Sequence, residues 1–122
     1  MPFVEVHDFD VPPEQRRRAT QSITGALSAA FAITDAITSV YFCDHGGERY
    51  GHAGIFPAPP EERRVFVKVH AFRRDAAKRR DAARGITDGL SVAYALPVER
   101  IAVYFLDRAP DEVAHGGILA SD

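Results

Sequence analysis

The residue best placed to do chemistry is Pro2, which directly follows the initial methionine. Methionine before a small residue is usually removed during synthesis, and its removal leaves Pro2 with a free secondary amine. An ordinary α-amino group titrates at about pH 7.7–8.0. Apolar surroundings or neighbouring arginines lower that value, because both disfavour the charged ammonium. Such an amine can accept a proton at cellular pH, so Pro2 is a candidate general base.

The segment that begins with Pro2 is repeated later in the chain. Residues 2–54 align with residues 65–117 without a gap, and about 20 of the 53 aligned positions are identical. The opening MPFVEVHDFD corresponds to VFVKVHAFRR, where Val65 takes the place of Pro2. The nitrogen of Val65 is an amide within the chain and cannot act as a base. Only the first copy can therefore supply a catalytic amine.

Each copy predicts a strand, a helix of about five turns and a second strand. Pro12-Pro13-Glu14 supplies a start for the first helix, and Asp75 can cap the second. Such βαβ units have parallel strands and a right-handed crossover. We predict an α/β (α+β) fold in one domain, with a four-stranded sheet and two helices on one face. The first unit covers 2–54, the proline-rich linker 55–63, and the second unit 64–122.

The other face of this sheet is predicted to be aromatic. If Val4 and Val6 pack on the helices, alternation turns their neighbours the opposite way. Those neighbours are Phe3, His7 and Phe9 in the first copy, and Phe66, His70 and Phe72 in the second. Such a face is too aromatic to remain in water, so we expect other subunits to bury it.

Composition excludes several classes of function. The net charge of −2 gives no global attraction to nucleic acid, and Cys43 is the only cysteine, which fits a reducing cytoplasm. The arginine runs at 16–18 and 79–80 are interpreted as solvated helix faces. No apolar window is long enough to span a membrane, and no targeting segment is evident. The five histidines form no recognisable metal spacing, so we expect neither a metal nor a cofactor.

The chain resembles the tautomerase superfamily, whose founding member is 4-oxalocrotonate tautomerase. The resemblance lies in residues 2–7, in Glu14-Gln15, in 23–27, in Ser39-Val40 and in 49–54. The second half is similar to the cis-3-chloroacrylic acid dehalogenase group at Phe66-Val67, 88–93 and 101–105. The resemblance implies a fused, duplicated chain with a tautomerase/MIF-like fold. It also implies a homotrimer in which six βαβ units surround a barrel.

The resemblance also implies roles for individual residues. Pro2 matches the catalytic proline, and Arg74, with Arg73 beside it, lies where an arginine grips the substrate carboxylate. A guanidinium offers a carboxylate two parallel hydrogen bonds, and a helix start adds to the attraction. Tyr104, whose repeat mate is Tyr41, matches a tyrosine that positions water.

Two positions depart from the dehalogenase pattern. Leu27 stands where that group has a histidine, and Ala114 aligns with its water-activating glutamate, leaving Glu112 two residues away as a substitute. These departures favour a cofactor-independent tautomerase of a small 2-keto or 2-hydroxy-dienoate carboxylate. The alternatives are a hydratase or dehalogenase of 3-substituted acrylates with Pro2 as acid, and a non-catalytic ligand-binding protein. An RNA-binding sheet of βαβ–βαβ order is disfavoured because Glu5 and Asp8 lie among the aromatic residues.

Overall fold

The computed structural model describes all 122 residues and confirms the predicted order of elements. A short hairpin follows the second unit. The elements are β1 (Phe3–Asp8), α1 (Pro13–Phe31), β2 (Ser39–Asp44), β3 (Val65–Phe72), α2 (Ala76–Tyr94), β4 (Ile101–Arg108), β5 (Ala114–His115) and β6 (Ile118–Leu119). Single 3-10 turns lie at 35–37, 60–62, 98–100 and 110–112.

The four long strands form one mixed sheet in the order β2-β1-β3-β4. Strands β1 and β2 are parallel, as are β3 and β4, which confirms both predicted βαβ units. The two central strands are antiparallel, with Phe3 opposite His70. The start of β1 therefore lies beside the end of β3. This arrangement brings Pro2 to the corner of the sheet where the Arg73-Arg74 pair follows β3.

The core fills the space between the sheet and the two helices. Asp75 caps α2 as predicted, since its Oδ1 accepts a hydrogen bond from Lys78 N at 2.9 Å, and Pro13 opens α1. Apolar residues at helical spacing on both helices meet the alternate residues of β1 and β3. The largest fully buried core side chains are Val4, Val6, Ile23, Leu27, Val67, Val69, Ile86 and Leu90.

The two helices approach each other closely at glycines of α2. A Cβ atom on Gly89 would lie 2.5 Å from Ser22 Cβ, and one on Gly85 would lie 2.9 Å from Ala26 Cβ. Real Cβ atoms do not come this close, so a larger residue would push the helices apart. These glycines set the distance between the helices.

A buried ion pair links the end of β1 to both helices. Asp8 is fully buried, and its carboxylate accepts hydrogen bonds from Arg16 Nε at 3.1 Å, Arg16 Nη2 at 2.6 Å and the Tyr94 hydroxyl at 2.7 Å. Burial and the neighbouring carboxylate raise the pKa of Tyr94. The interpretation of residues 16–18 as a solvated face is therefore wrong for Arg16. It is right for Arg17, which pairs with the exposed Glu14.

The outer face of the sheet has the predicted aromatic character. In β1, Phe3, Glu5 and His7 alternate with three fully buried residues. Phe3 is 40% exposed in the single chain. Tyr41 and Tyr104, which occupy corresponding positions in the two repeats, are 60% and 58% exposed. No helix of the chain combines the length and the apolar character needed to cross a membrane.

Candidate functional site

Pro2 is buried at the wall of a cavity of about 680 Å³. The hydrogen bond from Ser39 N to the Pro2 carbonyl, 3.4 Å long, ties the residue to the start of β2. Eight of the eleven lining residues are hydrophobic, and the polar ones are Ser39, Tyr41 and His115. Apolar surroundings of this kind disfavour a charged ammonium. An amine freed at Pro2 would thus lie in the apolar surroundings that lower the pKa of an amine and suit a general base.

Met1 fills part of this cavity. Its Sδ atom lies 3.0 Å from His115 Nδ1, and Met1 lines both the main cavity and an adjoining one of about 380 Å³. While Met1 is attached, the Pro2 nitrogen is an amide without basicity. Loss of Met1 would convert that nitrogen to an amine and open the space between Pro2 and His115.

The C-terminal hairpin closes the cavity over Pro2. His115 in β5 and Ile118 in β6 both line it. Local spacing does not group His115 with Pro2, because the two are more than a hundred positions apart. Its repeat mate His52 lies in a corresponding bend and pairs instead with Ile55.

The two predicted carboxylate-binding arginines do not line either cavity beside Pro2. Arg73 is 71% exposed, and its Nη1 lies 2.8 Å from Asp107 Oδ2. Arg74 places its guanidinium carbon 4.6 Å from the centre of the Phe31 ring and donates to the Phe72 carbonyl at 2.8 Å. Both side chains are thus engaged at the corner of the sheet next to the cavities.

A third arginine, Arg108, which has no signal in the sequence, lines the adjoining cavity. Arg108 ends β4 opposite Phe72 and lines the adjoining cavity together with Met1 and Glu112. Its Nη1 donates only one hydrogen bond within the chain, 3.3 Å long, to the carbonyl of Asp107. Its repeat mate is His45, so the repeat offered no signal for an arginine at this position.

The tyrosine beside Pro2 is Tyr41. Tyr41 lines the main cavity, and its ring meets that of Phe3 edge-on with 6.0 Å between centres. Tyr104 lies on β4 opposite Lys68, packs against Phe66 at 5.6 Å and lines neither cavity. Tyr104 is an exposed residue on the edge strand β4.

Glu112 lies at the rim of the adjoining cavity, at the end of a 3-10 turn. Its Oε1 accepts a hydrogen bond from Ala109 N at 3.0 Å, which holds the turn. The structure thus brings together Pro2, Tyr41, Arg108, Glu112 and His115 around the two connected cavities.

Comparison with known proteins gives matches in structure alone. No family model matches the sequence, and no curated protein matches it. A native fused 4-OT superposes with a TM-score of 0.89 at 15% identity, covering 98% of this chain and 96% of that one. A protein crystallised after inactivation by 2-oxo-3-pentynoate gives 0.86 at 18% identity, with the same coverage. Two other fused 4-OT structures that match were solved as a symmetric and an asymmetric trimer.

A member of the cis-3-chloroacrylic acid dehalogenase family gives a TM-score of 0.83 at 20% identity, covering 96% of this chain and 82% of that one. The superpositions establish the fold, but sequence identities this low do not establish the reaction. The superpositions extend over nearly the whole chain, including the duplicated βαβ units. This chain has the fold of the fused 4-OT structures on which it superposes.

Proposed function

We propose that this chain is a cofactor-independent tautomerase that interconverts the enol and keto forms of a small carboxylate. Candidate substrates are a 2-hydroxy-2,4-dienoate or phenylenolpyruvate. The observation that carries the proposal is the burial of Pro2 in the wall of a mainly apolar cavity, within the fold of fused 4-OT proteins. The free amine requires that Met1 be removed.

In the proposed reaction the Pro2 amine takes the proton from the enol hydroxyl. The electron pair of the O–H bond forms the carbonyl, and the electrons of the double bond move to carbon. The prolinium then returns the proton to that carbon, so the step consumes no co-reactant. General base catalysis of this kind contributes about 10²–10⁴-fold.

The substrate carboxylate needs a cation near Pro2. The proposal places it at the arginines around the end of β3, where Arg73 and Arg74 were predicted to act. Arg108 supports this placement because it lines the adjoining cavity and has one weak internal hydrogen bond. Guanidinium groups suit this task because their fork matches the two oxygens of a carboxylate.

The developing carbonyl needs a hydrogen-bond donor, and the proposal gives this role to a tyrosine. Tyr41 lies in the cavity of its own chain, and Tyr104 would reach the site from a neighbouring chain of a homotrimer. Trimeric fused 4-OT structures and the exposed aromatic residues of the outer sheet face support that assembly. Burying those residues would remove apolar area from water.

A second candidate is a hydratase or dehalogenase of 3-substituted acrylates. Glu112 at the rim of the adjoining cavity, near Met1, favours it, because a carboxylate there could orient water. In this reaction protonated Pro2 would act as the acid, with Tyr104 and Glu112 placing the water. The two reactions predict opposite dependences of rate on pH. A catalytic base is protonated and loses activity as the pH falls, whereas a catalytic acid is deprotonated and loses activity as the pH rises.

The test is the rate of phenylenolpyruvate ketonisation by protein whose intact mass shows that Met1 is absent. Pro2→Ala should lower kcat/KM by about 10²-fold or more, on the scale of lost acid–base catalysis. The matched control extends the chain by two residues before Pro2, which keeps the side chain and converts its nitrogen to an amide. That form should be at least as inactive as Pro2→Ala, because Pro2→Ala without Met1 still has a primary α-amine. Full activity of either protein contradicts the proposal.

A further inference from the structure

A cluster of metal-binding side chains lies on the outer face of the sheet, separate from the Pro2 cavities. Glu5 and His7 are two positions apart on β1, and Cys43 lies directly opposite His7 on β2. One donor atom from each of the three lies within 4.8 Å of the other two. All three side chains are partly buried. The sequence spacing concealed this set, because Cys43 joins the two β1 residues only through the parallel pairing of the strands.

We propose that Glu5, His7 and Cys43 bind a zinc-like divalent cation through one carboxylate oxygen, the imidazole Nε2 and the thiolate. Zinc takes nitrogen, oxygen and sulfur ligands at about 2.0–2.3 Å, which places tetrahedral ligand atoms about 3.3–3.8 Å apart. The donor atoms of Glu5, His7 and Cys43, all within 4.8 Å of one another, lie near that spacing. A thiolate ligand favours zinc over magnesium or calcium.

The nitrogen of His7 that faces the site has no hydrogen bond. Nε2 of His7 is buried and unpartnered, although it lies 3.3 Å from Glu5 Oε1. The other ring nitrogen, Nδ1, lies 2.7 Å from His45 Nε2. A hydrogen on Nδ1 donated to His45 leaves a lone pair on Nε2 directed at the site. A buried polar atom without a partner is costly, and a cation there would satisfy it.

Each of the two β1 ligands also has an outer partner. His45 holds the ring of His7, and Glu5 accepts from His70 Nε2 at 2.5 Å through its other carboxylate oxygen, Oε2. Such contacts orient ligands and commonly change metal affinity by about 10–100-fold. The charges also balance, because a carboxylate and a thiolate together neutralise a divalent cation.

The second copy of the repeat provides an internal comparison. There Lys68, His70 and Leu106 occupy the positions of Glu5, His7 and Cys43 on the same backbone frame. A lysine and a leucine cannot ligate a cation in this way. The donor set is therefore a feature of the first copy alone, and it does not follow from the shared architecture of the two strands.

The thiol of Cys43 supplies a further readout. A thiol binds a metal as the thiolate, so metal binding at Cys43 releases the thiol proton. Proton release and loss of thiol reactivity should accompany binding.

The test is titration of chelator-treated full-length protein with Co²⁺ as a spectroscopic stand-in for Zn²⁺. We expect one cobalt per chain with a thiolate-to-cobalt charge-transfer band, and displacement of that band by Zn²⁺. Cys43→Ser should abolish the band, and His7→Gln should weaken binding at least about 10-fold. His45→Gln should weaken it by about 10–100-fold, as expected for an outer partner. His52→Gln, which removes a histidine outside the cluster, should bind like the wild type.

A measurement on the unaltered chain guards against variants that fail to fold. Zn²⁺ should protect Cys43 from alkylation in the wild-type protein at micromolar concentrations. Absence of the charge-transfer band, a band that persists in Cys43→Ser, or unchanged alkylation with Zn²⁺ would each overturn the proposal. Pro2→Ala should bind metal normally, so failure of the proposed tautomerase activity and failure of this site are separable.

Discussion

Replacing Arg16 by glutamine tests how strongly the fold depends on the buried ion pair at the end of β1. Asp8 has no exposed surface, and Arg16 supplies two of its three hydrogen bonds. Glutamine removes the charge and leaves the carboxylate with the Tyr94 hydroxyl. Breaking a buried pair by removing one partner costs about 3–5 kcal/mol. Arg16 is 26% exposed, so water offsets part of the loss, and we expect about 3 kcal/mol.

Arg17→Gln is the matched control, because it makes the same change one residue along the same helix. Arg17 and its partner Glu14 are 57% and 56% exposed, although their closest atoms are 2.6 Å apart. Exposed pairs contribute little to stability, because water screens both charges. The two substitutions have the same helix propensity, so their difference reports the environment of the pair.

The assay is urea unfolding at one fixed protein concentration, since subunit association would make stability depend on concentration. The midpoint should fall for Arg16→Gln with an unchanged slope and hardly move for Arg17→Gln. Activity per folded molecule should be unaltered, because Asp8 and Pro2 lie at opposite ends of β1. Equal losses of stability for the two variants would refute the reasoning.

Three further predictions follow from the structure. Arg108→Gln should lower kcat/KM for a carboxylate substrate by about 10–100-fold, because it removes a charge-assisted hydrogen bond. The control Arg84→Gln changes an exposed residue of α2 and should leave kcat/KM unchanged. Equal kcat/KM values for the two variants would show that Arg108 does not bind the substrate. Gly89→Ala should destabilise by about 1–3 kcal/mol through overpacking, and Gly25→Ala, which meets no atom within 4 Å, should stabilise by about 0.5–1 kcal/mol, as thermal unfolding will show. A hydrogen bond from His70 lowers the pKa of Glu5 below its ordinary value of 4.5. The stabilisation that Glu5 gives the fold is therefore present above that pH and is lost as the pH falls through the folded-state pKa. In metal-free protein, the stability of Glu5→Gln should change less with pH below about pH 4.5 than the stability of the wild type, as acid unfolding will show.

The repeat made most of the fold predictable from the sequence. Alternation in 3–7 and helical spacing in 19–31 each appeared twice, so the helix and both strands of each βαβ unit were supported by two copies. The parallel pairing within each unit followed from chain connectivity. The strand order required one further fact, that β1 and β3 pair antiparallel at the centre, and the repeat alone does not determine it.

The site was predictable only where it lies near the repeat or the chain start. Pro2 stood out because its chemistry depends on its position in the chain. Arg108 and His115 did not, because β4 and the hairpin after it bring them to the two cavities through tertiary packing that has no counterpart in local spacing. The same limit applies to Asp8, whose partners Arg16 and Tyr94 lie 8 and 86 positions away.

The ionisation of Pro2 tests the central claim most directly. A ¹⁵N-proline NMR titration of protein lacking Met1 measures the pKa of the amine in its cavity. The tautomerase account predicts a value at or below the ordinary range of about 7.7–8.0 for an α-amino group. A value clearly above that range would contradict the role of base and favour the role of acid.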